Sequence, residues 1–300
     1  ILNAARHPQF AGYYLEILNE IRDGDYFVHR IVRMFRRLPG LRWDGVIHEQ
    51  ITPSIVERKG RIATVTAQIR HLGYRGEVMT SRDKIRRNIE LIQRQLEREP
   101  DDLFHKFNLA NTYYSADDYE QAASWAEQVC PYLRGDEDYA GQIWAIWVAS
   151  LLNLQRYEEA LQVGADALAR GINSPMLHHT LANVYYRLGY YQKSLESLEA
   201  ARETAMRIGL LAPDGETLLV GSSYTGDIGV VTYKWRFAYA RALRALERLS
   251  EASALYQRLM HERPNDPIIL LDYGQLLLEQ GERDAAEQIF LQLANHESHY

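Results

Sequence analysis

The chain has 300 residues, of which 46% are hydrophobic and 25% charged, a composition typical of a soluble globular protein with two structural units. No apolar run reaches the ~20 residues that a membrane span needs, no secretory signal opens the sequence, and a single cysteine cannot form an internal disulfide. These features exclude membrane spans and disulfide scaffolds. The expected location is the cytoplasm.

The net charge of -6 hides an asymmetry between the two parts of the chain. Residues 1–98 hold 18 Lys and Arg against 11 Asp and Glu, whereas residues 99–300 hold 16 against 29. A basic front part is suited to anionic groups, although a solvated surface is the default interpretation. We expect no nucleic-acid partner.

The front of the chain predicts a small α+β segment. A helix is expected near Gln9–Asp23, followed by a strand over Tyr26–Phe35. Ser54–Arg58 and Arg61–His71 then predict a hairpin, with Lys59-Gly60 as its turn. Apolar and polar residues alternate along the second of these segments, which is the period of a strand.

A helix with an apolar stripe ends this front segment. The stripe consists of Ile85, Ile89, Ile92 and Leu96. Thr80 can cap the start of the helix, and Pro100 ends it. We therefore divide the chain into residues 1–98 and residues 99–300.

Four short motifs follow one another in the front segment. They are Arg33-Met34-Phe35-Arg36, Trp43-Asp44-Gly45-Val46-Ile47-His48-Glu49, Ile69-Arg70-His71-Leu72-Gly73-Tyr74, and Lys84 with Arg87-Asn88. In order and spacing they resemble family 2 glycosyltransferases with the GT-A fold, of the lipopolysaccharide-core and peptide-glycosylating types. The resemblance implies that residues 1–98 are the C-terminal portion of such a catalytic domain.

The resemblance also implies roles for individual residues. Glu49 would be the general base that takes a proton from the acceptor, and His48 would orient the acceptor or Glu49. His71 would bind a divalent cation, Mg or Mn, that neutralises the departing nucleoside diphosphate. Four cations would contact the diphosphate: Arg33, Arg36, Lys84 and Arg87. The plainer interpretation is a hydrogen-bonded histidine and solvated charges.

From about Asp101 the sequence repeats itself. Small residues set the phase, with steps of 38, 34, 58 and 34 residues between Ala122, Ala160, Ser194, Ala252 and Ala286. The 34-residue step and the local pattern resemble the tetratricopeptide repeat (TPR), a helix pair with small residues where its two helices approach closely. The expected fold is mainly α: a TPR α-solenoid of about five helix pairs, preceded by the α+β end of a GT-A domain.

The 58-residue step leaves an insert at about residues 204–232. Glycines interrupt the helical pattern there. The predicted structure is a β-hairpin whose strands are Leu218-Leu219-Val220 and Val230-Val231.

The first helices of the repeats are expected to line a concave groove. The predicted groove residues are Asn111, Tyr114, His179, Asn183, Tyr186, Arg241 and Arg244. Amide and guanidinium groups suit a peptide backbone or a carboxylate, so the groove would hold a peptide, protein or glycan acceptor. Structural packing or self-association as a homodimer is the alternative use of the repeats.

Two classes of function remain open. The first is the tail of a glycosyltransferase that uses a nucleotide-sugar donor; the second is a non-catalytic TPR interaction scaffold with a degenerate front domain. The donor-binding half of the family, with its Asp-x-Asp metal motif, has no counterpart here, because Asp23-Gly24-Asp25 is placed as a turn. We therefore expect this segment alone to be inactive.

Overall fold

The computed structural model describes residues 6–22, 25–45, 49–71, 82–222 and 224–297. Its sheet contains β1 (Phe10–Arg22), β2 (Asp25–Phe35), β3 (Arg61–His71) and β4 (Gly226–Asp227) in the order β3-β1-β2-β4. β1 is antiparallel to β2 and parallel to β3, and β2 is antiparallel to β4. No helix within these ranges is long and apolar enough to cross a bilayer.

The helix predicted near Gln9–Asp23 is wrong, since this segment is the strand β1. Tyr13, Leu15 and Ile17 alternate along it and are all at most 7% exposed. Glu16 and Glu20, on the other face, are also buried, and they accept hydrogen bonds from Gln68 and Arg70 of β3. With both faces buried, the strand lacks the simple alternation of polar and apolar residues.

The hairpin predicted at Lys59-Gly60 is also wrong. Its first arm is the short helix α1 (Thr52–Glu57), which has Pro53 in its first turn, where proline is favoured. Lys59 has a φ of 56°, and Gly60 leads directly into β3. The chain therefore passes from a helix to a strand, and β3 pairs in parallel with β1.

α1 packs on the sheet in one buried cluster with Ala11 and Val32. A Cβ atom on Gly12 would lie 2.9 Å from Cδ1 of Ile55, so this close contact depends on glycine.

The remaining helices form an array of pairs. A long helix, α2 (Arg82–Arg98), precedes five pairs within the described residues: α3 (Leu103–Ser115) with α4 (Tyr119–Glu127), α5 (Ala140–Asn153) with α6 (Tyr157–Ala169), α7 (Pro175–Arg187) with α8 (Tyr191–Arg207), α9 (Tyr233–Ala245) with α10 (Leu249–Glu262), and α11 (Pro267–Glu279) with α12 (Arg283–Glu297). This array confirms the prediction of a mainly helical, TPR-like solenoid. The predicted start of α2 at Thr80 lies outside the described residues.

Two features repeat in every pair. The five small residues that set the sequence phase are at most 1% exposed, and Ser194 donates a hydrogen bond to the Ala182 carbonyl at 2.8 Å. Five residues before each of them stands a turn residue with φ between 59° and 80°: Asp117, Gln155, Gly189, Glu247 and Gly281. The same turn and the same close helix contact therefore recur in all five pairs.

The insert differs from the predicted hairpin. Helix α8 continues to Arg207, and Leu218 forms only a single bridge, with Leu211. Val230 and Val231 lie in a 3₁₀ helix (Ile228–Val231) whose start is capped by Asp227. The strand that forms is β4, which pairs with β2 of the front sheet.

Two ion pairs connect the sheet to distant repeats. Arg263, at the end of α10, donates to Asp25 at 2.8 Å, and the Arg263 guanidinium lies 3.9 Å from the centroid of the Tyr233 ring. Arg30 of β2 lies 3.5 Å from Asp138, just before α5. The start of β2 therefore reaches the fourth helix pair, while Arg30 reaches the second.

Candidate functional site

The insert lies against the first helices of the repeats. Asp227 binds the Lys234 ammonium at 2.5 Å and accepts from the Gly229 amide at 2.7 Å. The Tyr224 hydroxyl donates to the Asp227 carbonyl at 2.9 Å. These contacts fix the carboxylate of Asp227 beside α9.

Two of the predicted groove residues lie close to Asp227. Burial lowers the pKa of His179 to about 4, opposed by the Asp227 carboxylate, and the Nε2 atom of this ring is buried. Burial also raises the pKa of Tyr114, assisted by the charges of Asp117 and Asp227. The groove at α3 and α7 therefore contains part of the chain's own insert.

The predicted asparagines make contacts within and between first helices. Asn111 of α3 accepts a hydrogen bond from Gln142 of α5 at 3.3 Å. Asn183 lies 3.4 Å from Nδ1 of His179, one turn earlier on α7.

The predicted arginines lie further along the array, and both have acidic partners. Arg244 binds Glu279 through two hydrogen bonds of 2.6 and 2.9 Å, and Arg241 lies 3.3 Å from Asp272. The Arg241 guanidinium also lies over the ring of Tyr186 at 4.5 Å. These three residues connect α7, α9 and α11, so they contribute to packing as well as to the surface.

A second polar cluster lies between α8, α9 and α10. Glu216 of the insert binds three arginines, Arg202 at 2.6 Å, Arg258 at 2.5 Å and Arg236 at 3.4 Å. These residues line a cleft of about 330 Å³. The sequence prediction missed this cluster, because its cations come from three separate helices and the acid from the insert.

At one end of the sheet, a buried asparagine connects two histidines. Asn19 donates from Nδ2 to the Phe27 carbonyl at 3.1 Å, which fixes the orientation of its amide. Nδ2 therefore also donates to Nδ1 of His29 at 2.8 Å, while Oδ1 accepts from Nδ1 of His71 at 3.0 Å. Neutral His71 therefore carries its proton on Nδ1.

The sequence prediction missed Asn19 because its segment, β1, was predicted to be a helix, and it did not single out His29 of β2. With β1 as a strand, pairing in the sheet register would have placed Asn19 beside His71. Among the described residues, no three His, Cys, Asp or Glu side chains could hold a metal ion together. His71 would be a single ligand, and its hydrogen bond from Nδ1 is the arrangement common in metal-binding histidines.

Glu49, the predicted general base, lies near the opposite end of the sheet. Glu49 is exposed, and its neighbour Gln50 pairs with Asp44, which closes the loop. His48 lies outside the described residues. Ile51 anchors the end of this loop in the buried cluster around Val32.

The predicted diphosphate contacts are dispersed. Arg33 lies 5.9 Å from the centroid of the Trp43 ring, and Arg36 donates to the Phe10 carbonyl at 3.0 Å. Gly12 pairs with Phe35, whereas Asn19 pairs with His71, so about 23 Å of strand separates the Arg36 end of the sheet from His71. Lys84 and Arg87 lie on α2, near its start.

Three segments match the tetratricopeptide repeat family: residues 104–128, 177–208 and 243–299. They fall on α3–α4, α7–α8 and the last helix pairs. The helical part of the chain is a TPR-like solenoid, and TPR proteins bind peptide or protein partners.

Half of the chain resembles a curated protein. It is 27% identical over 147 residues to the Vi polysaccharide export protein VexE of Salmonella typhi. The match covers 49% of this chain but only 19% of VexE, so this chain spans a small part of that relative's length.

The helical fold resembles that of a solved structure, BtubC. BtubC of P. vanneervenii is 16% identical with a TM-score of 0.53, over 72% of this chain and 89% of that one. MamA of Desulfovibrio magneticus RS-1 is 15% identical with a TM-score of 0.48, over 65% and 95% of the two chains. At such low identity the likeness to BtubC concerns the fold alone.

Proposed function

We propose that this chain is the C-terminal portion of a family 2 glycosyltransferase, which transfers a sugar from a nucleotide-sugar donor to a peptide or glycan acceptor. The supporting observation is the order of the four front motifs, followed by TPR helix pairs. The similarity to a protein named for polysaccharide export is compatible with a carbohydrate substrate.

In this proposal Glu49 is the general base. Its carboxylate is exposed on a loop that is closed by the Asp44–Gln50 pair and anchored by Ile51. An exposed carboxylate on an anchored loop can accept a proton from an incoming hydroxyl or thiol, because it is accessible yet held in place.

His71 would hold a divalent cation, Mg or Mn, through Nε2. The hydrogen bond from Nδ1 to Asn19 orients the ring, and this arrangement is common in metal-binding histidines, which favours the assignment. When bound, such a cation neutralises charge on a departing diphosphate. Further ligands would have to come from outside the described residues, in keeping with a donor-binding half elsewhere in the enzyme.

The repeats would serve as an interaction scaffold that holds the acceptor protein. The insert and the acidic partners of Arg241 and Arg244 already occupy much of the predicted groove. The acceptor would therefore contact the groove at Asn111 and Asn183, which lie on the first helices of the first and third pairs and are both only half-buried.

The decisive experiment replaces Glu49 by Gln in the full-length enzyme. Transfer should fall by roughly 10² to 10⁴-fold while donor binding persists, because the substitution removes the base and keeps the shape. The matched control is Glu57→Gln, an equally exposed acid paired with Arg42, which should transfer normally. Equal activity of Glu49→Gln and the control would contradict the proposed role of Glu49.

A metal titration tests His71 independently. His71→Ala should weaken divalent-cation affinity, with activity partly restored by excess metal, and Asn19→Ser should produce a smaller loss because it frees the ring without removing the ligand. An unchanged titration curve in both variants would contradict the assignment.

The second candidate is a non-catalytic TPR interaction scaffold, favoured by the three family matches in the helical part. Absence of sugar transfer by the full-length wild-type protein, together with tight binding of a protein partner, would support it over the first.

A further inference from the structure

One end of the front sheet carries a concentrated positive surface. It is formed by the end of β2, the loop after it, and the turn before β3. Five exposed cations there have no carboxylate partner among the described residues, and we call them the basic tip: Arg33, Arg37, Arg58, Lys59 and Arg61.

Short contacts hold the parts of this surface together. Arg58 donates from Nε to the Gly40 carbonyl at 3.2 Å, which ties the turn before β3 to the loop after β2. The Arg61 guanidinium lies 5.2 Å from the centroid of the Phe10 ring at the start of β1. The basic tip is therefore one surface, although its residues are up to 28 positions apart in the sequence.

Large apolar side chains protrude among these cations. Phe35, Leu38 and Trp43 are 37%, 43% and 45% exposed. The Phe35 and Trp43 rings contact each other edge to face at 5.7 Å, and Arg33 lies over Trp43. Trp43 is the most exposed of the five tryptophans, all of which are described.

We propose that the basic tip binds the surface of an anionic lipid bilayer, with Phe35, Leu38 and Trp43 entering the headgroup region. Arginine and lysine side chains attract the phosphates of anionic lipids, and tryptophan favours the boundary between headgroups and acyl chains. A soluble polyanion would satisfy the cations but leave three apolar side chains in water. The bilayer surface accommodates both sets of groups, so it is the partner that complements this end of the sheet.

The chain would then lie on the membrane surface without crossing it. Phe35 ends β2 and Trp43 lies in the adjoining loop, whereas the contacts to the repeats start from Asp25 and Arg30, earlier in β2. Bilayer contact at the basic tip therefore leaves the repeats free for a partner. The inference does not depend on sugar transfer.

The test is sedimentation of the whole chain with lipid vesicles. Vesicles of phosphatidylcholine with about one third phosphatidylglycerol should carry the protein down, and vesicles of phosphatidylcholine alone should not. Raising the salt should release the protein, because the attraction acts over a Debye length. Brominated acyl chains should quench the fluorescence of Trp43.

Two variants and a matched control locate the surface. Arg37→Gln/Lys59→Gln/Arg61→Gln should weaken partition on the order of 100-fold, since each cation near an anionic surface contributes about a fivefold factor. Leu38→Ser/Trp43→Ser should weaken it by about tenfold or more. Arg86→Gln/Arg94→Gln/Arg98→Gln removes the same charge from the exposed face of α2 and should bind within about twofold of the wild type.

Folding is checked by circular dichroism melting, which reports the helical array and should be unchanged in each variant. Equal loss of binding in the basic-tip variant and the α2 control would overturn the proposal, because it would indicate net charge alone. Binding of the wild type to dextran sulfate or a single-stranded oligonucleotide, but not to anionic vesicles, would also overturn it.

Discussion

The front sheet and the repeat solenoid are stabilised in different ways. Buried clusters of the solenoid combine residues of successive helix pairs, such as those between Leu103 and Leu188. The sheet depends on residues far away in the chain, since Asp25 binds Arg263 and Glu16 accepts from the Gly221 amide at 3.2 Å. A repeat can therefore be recognised from a local pattern, whereas the sheet cannot be completed without the insert.

The largest expected effect comes from breaking the contact between β2 and the fourth helix pair. Asp25→Ala should lower the free energy of unfolding by roughly 3 to 4 kcal/mol, because it removes the 2.8 Å ion pair from Arg263, whose side chain is 16% exposed, and a partner of the Tyr233 hydroxyl. Arg263 then keeps its 3.3 Å contact with Asp266. Urea unfolding at pH 7 measures the change. The control is Asp44→Ala, whose pair with Arg42 is exposed and should contribute less than ~1 kcal/mol. Equal losses would mean that the sheet is not held by this pair.

A smaller effect is expected from the insert. Glu216→Gln should lower the free energy of unfolding by roughly 2 to 3 kcal/mol, since one carboxylate binds Arg202, Arg236 and Arg258. Glu159→Gln is the matched control, because its contact with Arg156 lies on the surface. A loss no larger than that of the control would contradict the inference that Glu216 stabilises the contact of the insert with α8, α9 and α10.

The pH dependence of stability tests the groove beside the insert. The pKa of His179 is lowered to about 4 in the folded chain, below the usual value near 6.5, so its contribution is present above pH 6.5 and is lost as the pH falls towards 4. Between pH 7 and pH 5 the chain should lose about 2 kcal/mol through this residue. His179→Gln should remove that part of the dependence in urea unfolding. A curve of unchanged steepness would show that the imidazole is not held neutral.

The smallest effect on stability is expected at Asn183, where a substitution tests peptide binding in the groove without disturbing the packing of the helices. Its only described hydrogen-bond contact is the 3.4 Å approach to His179, so Asn183→Ala should change the free energy of unfolding by less than ~0.5 kcal/mol. If this residue contacts a peptide acceptor, the Michaelis constant should rise with little change in turnover. Tyr186 is less suitable for this test, because Arg241 packs over its ring.

The solenoid could be predicted because the residues that determine the geometry of each helix pair lie within that repeat. Ala122, Ala160 and Ala252 stand where two helices touch, and no larger side chain fits at such a contact without separating them. The concave positions follow from this phase. The presence of Asp227 in the groove could not be predicted from the sequence, because Asp227 reaches the groove through the pairing of the insert with β2.

The sheet was only partly predicted, for a physical reason. β2 and β3 show recognisable strand patterns, but β1 is a central strand in which Glu16, Asn19 and Glu20 are buried as fully as its apolar residues. Their hydrogen bonds come from other strands and from the insert, so the sequence of β1 does not contain its partners. His71 was singled out by a motif, while Asn19, which orients it, emerged only from the register.

The pairing of β2 with β4 also sets an order of events during synthesis. Val28 leaves the ribosome about 200 residues before its partner Gly226, an interval of roughly 10 to 40 s at 5 to 20 residues per second. Throughout that interval this edge of β2 has no strand to pair with, and open strand edges associate with other chains. During synthesis, Phe27 and Val28 of β2 therefore stay without their partners in β4 until the insert has emerged.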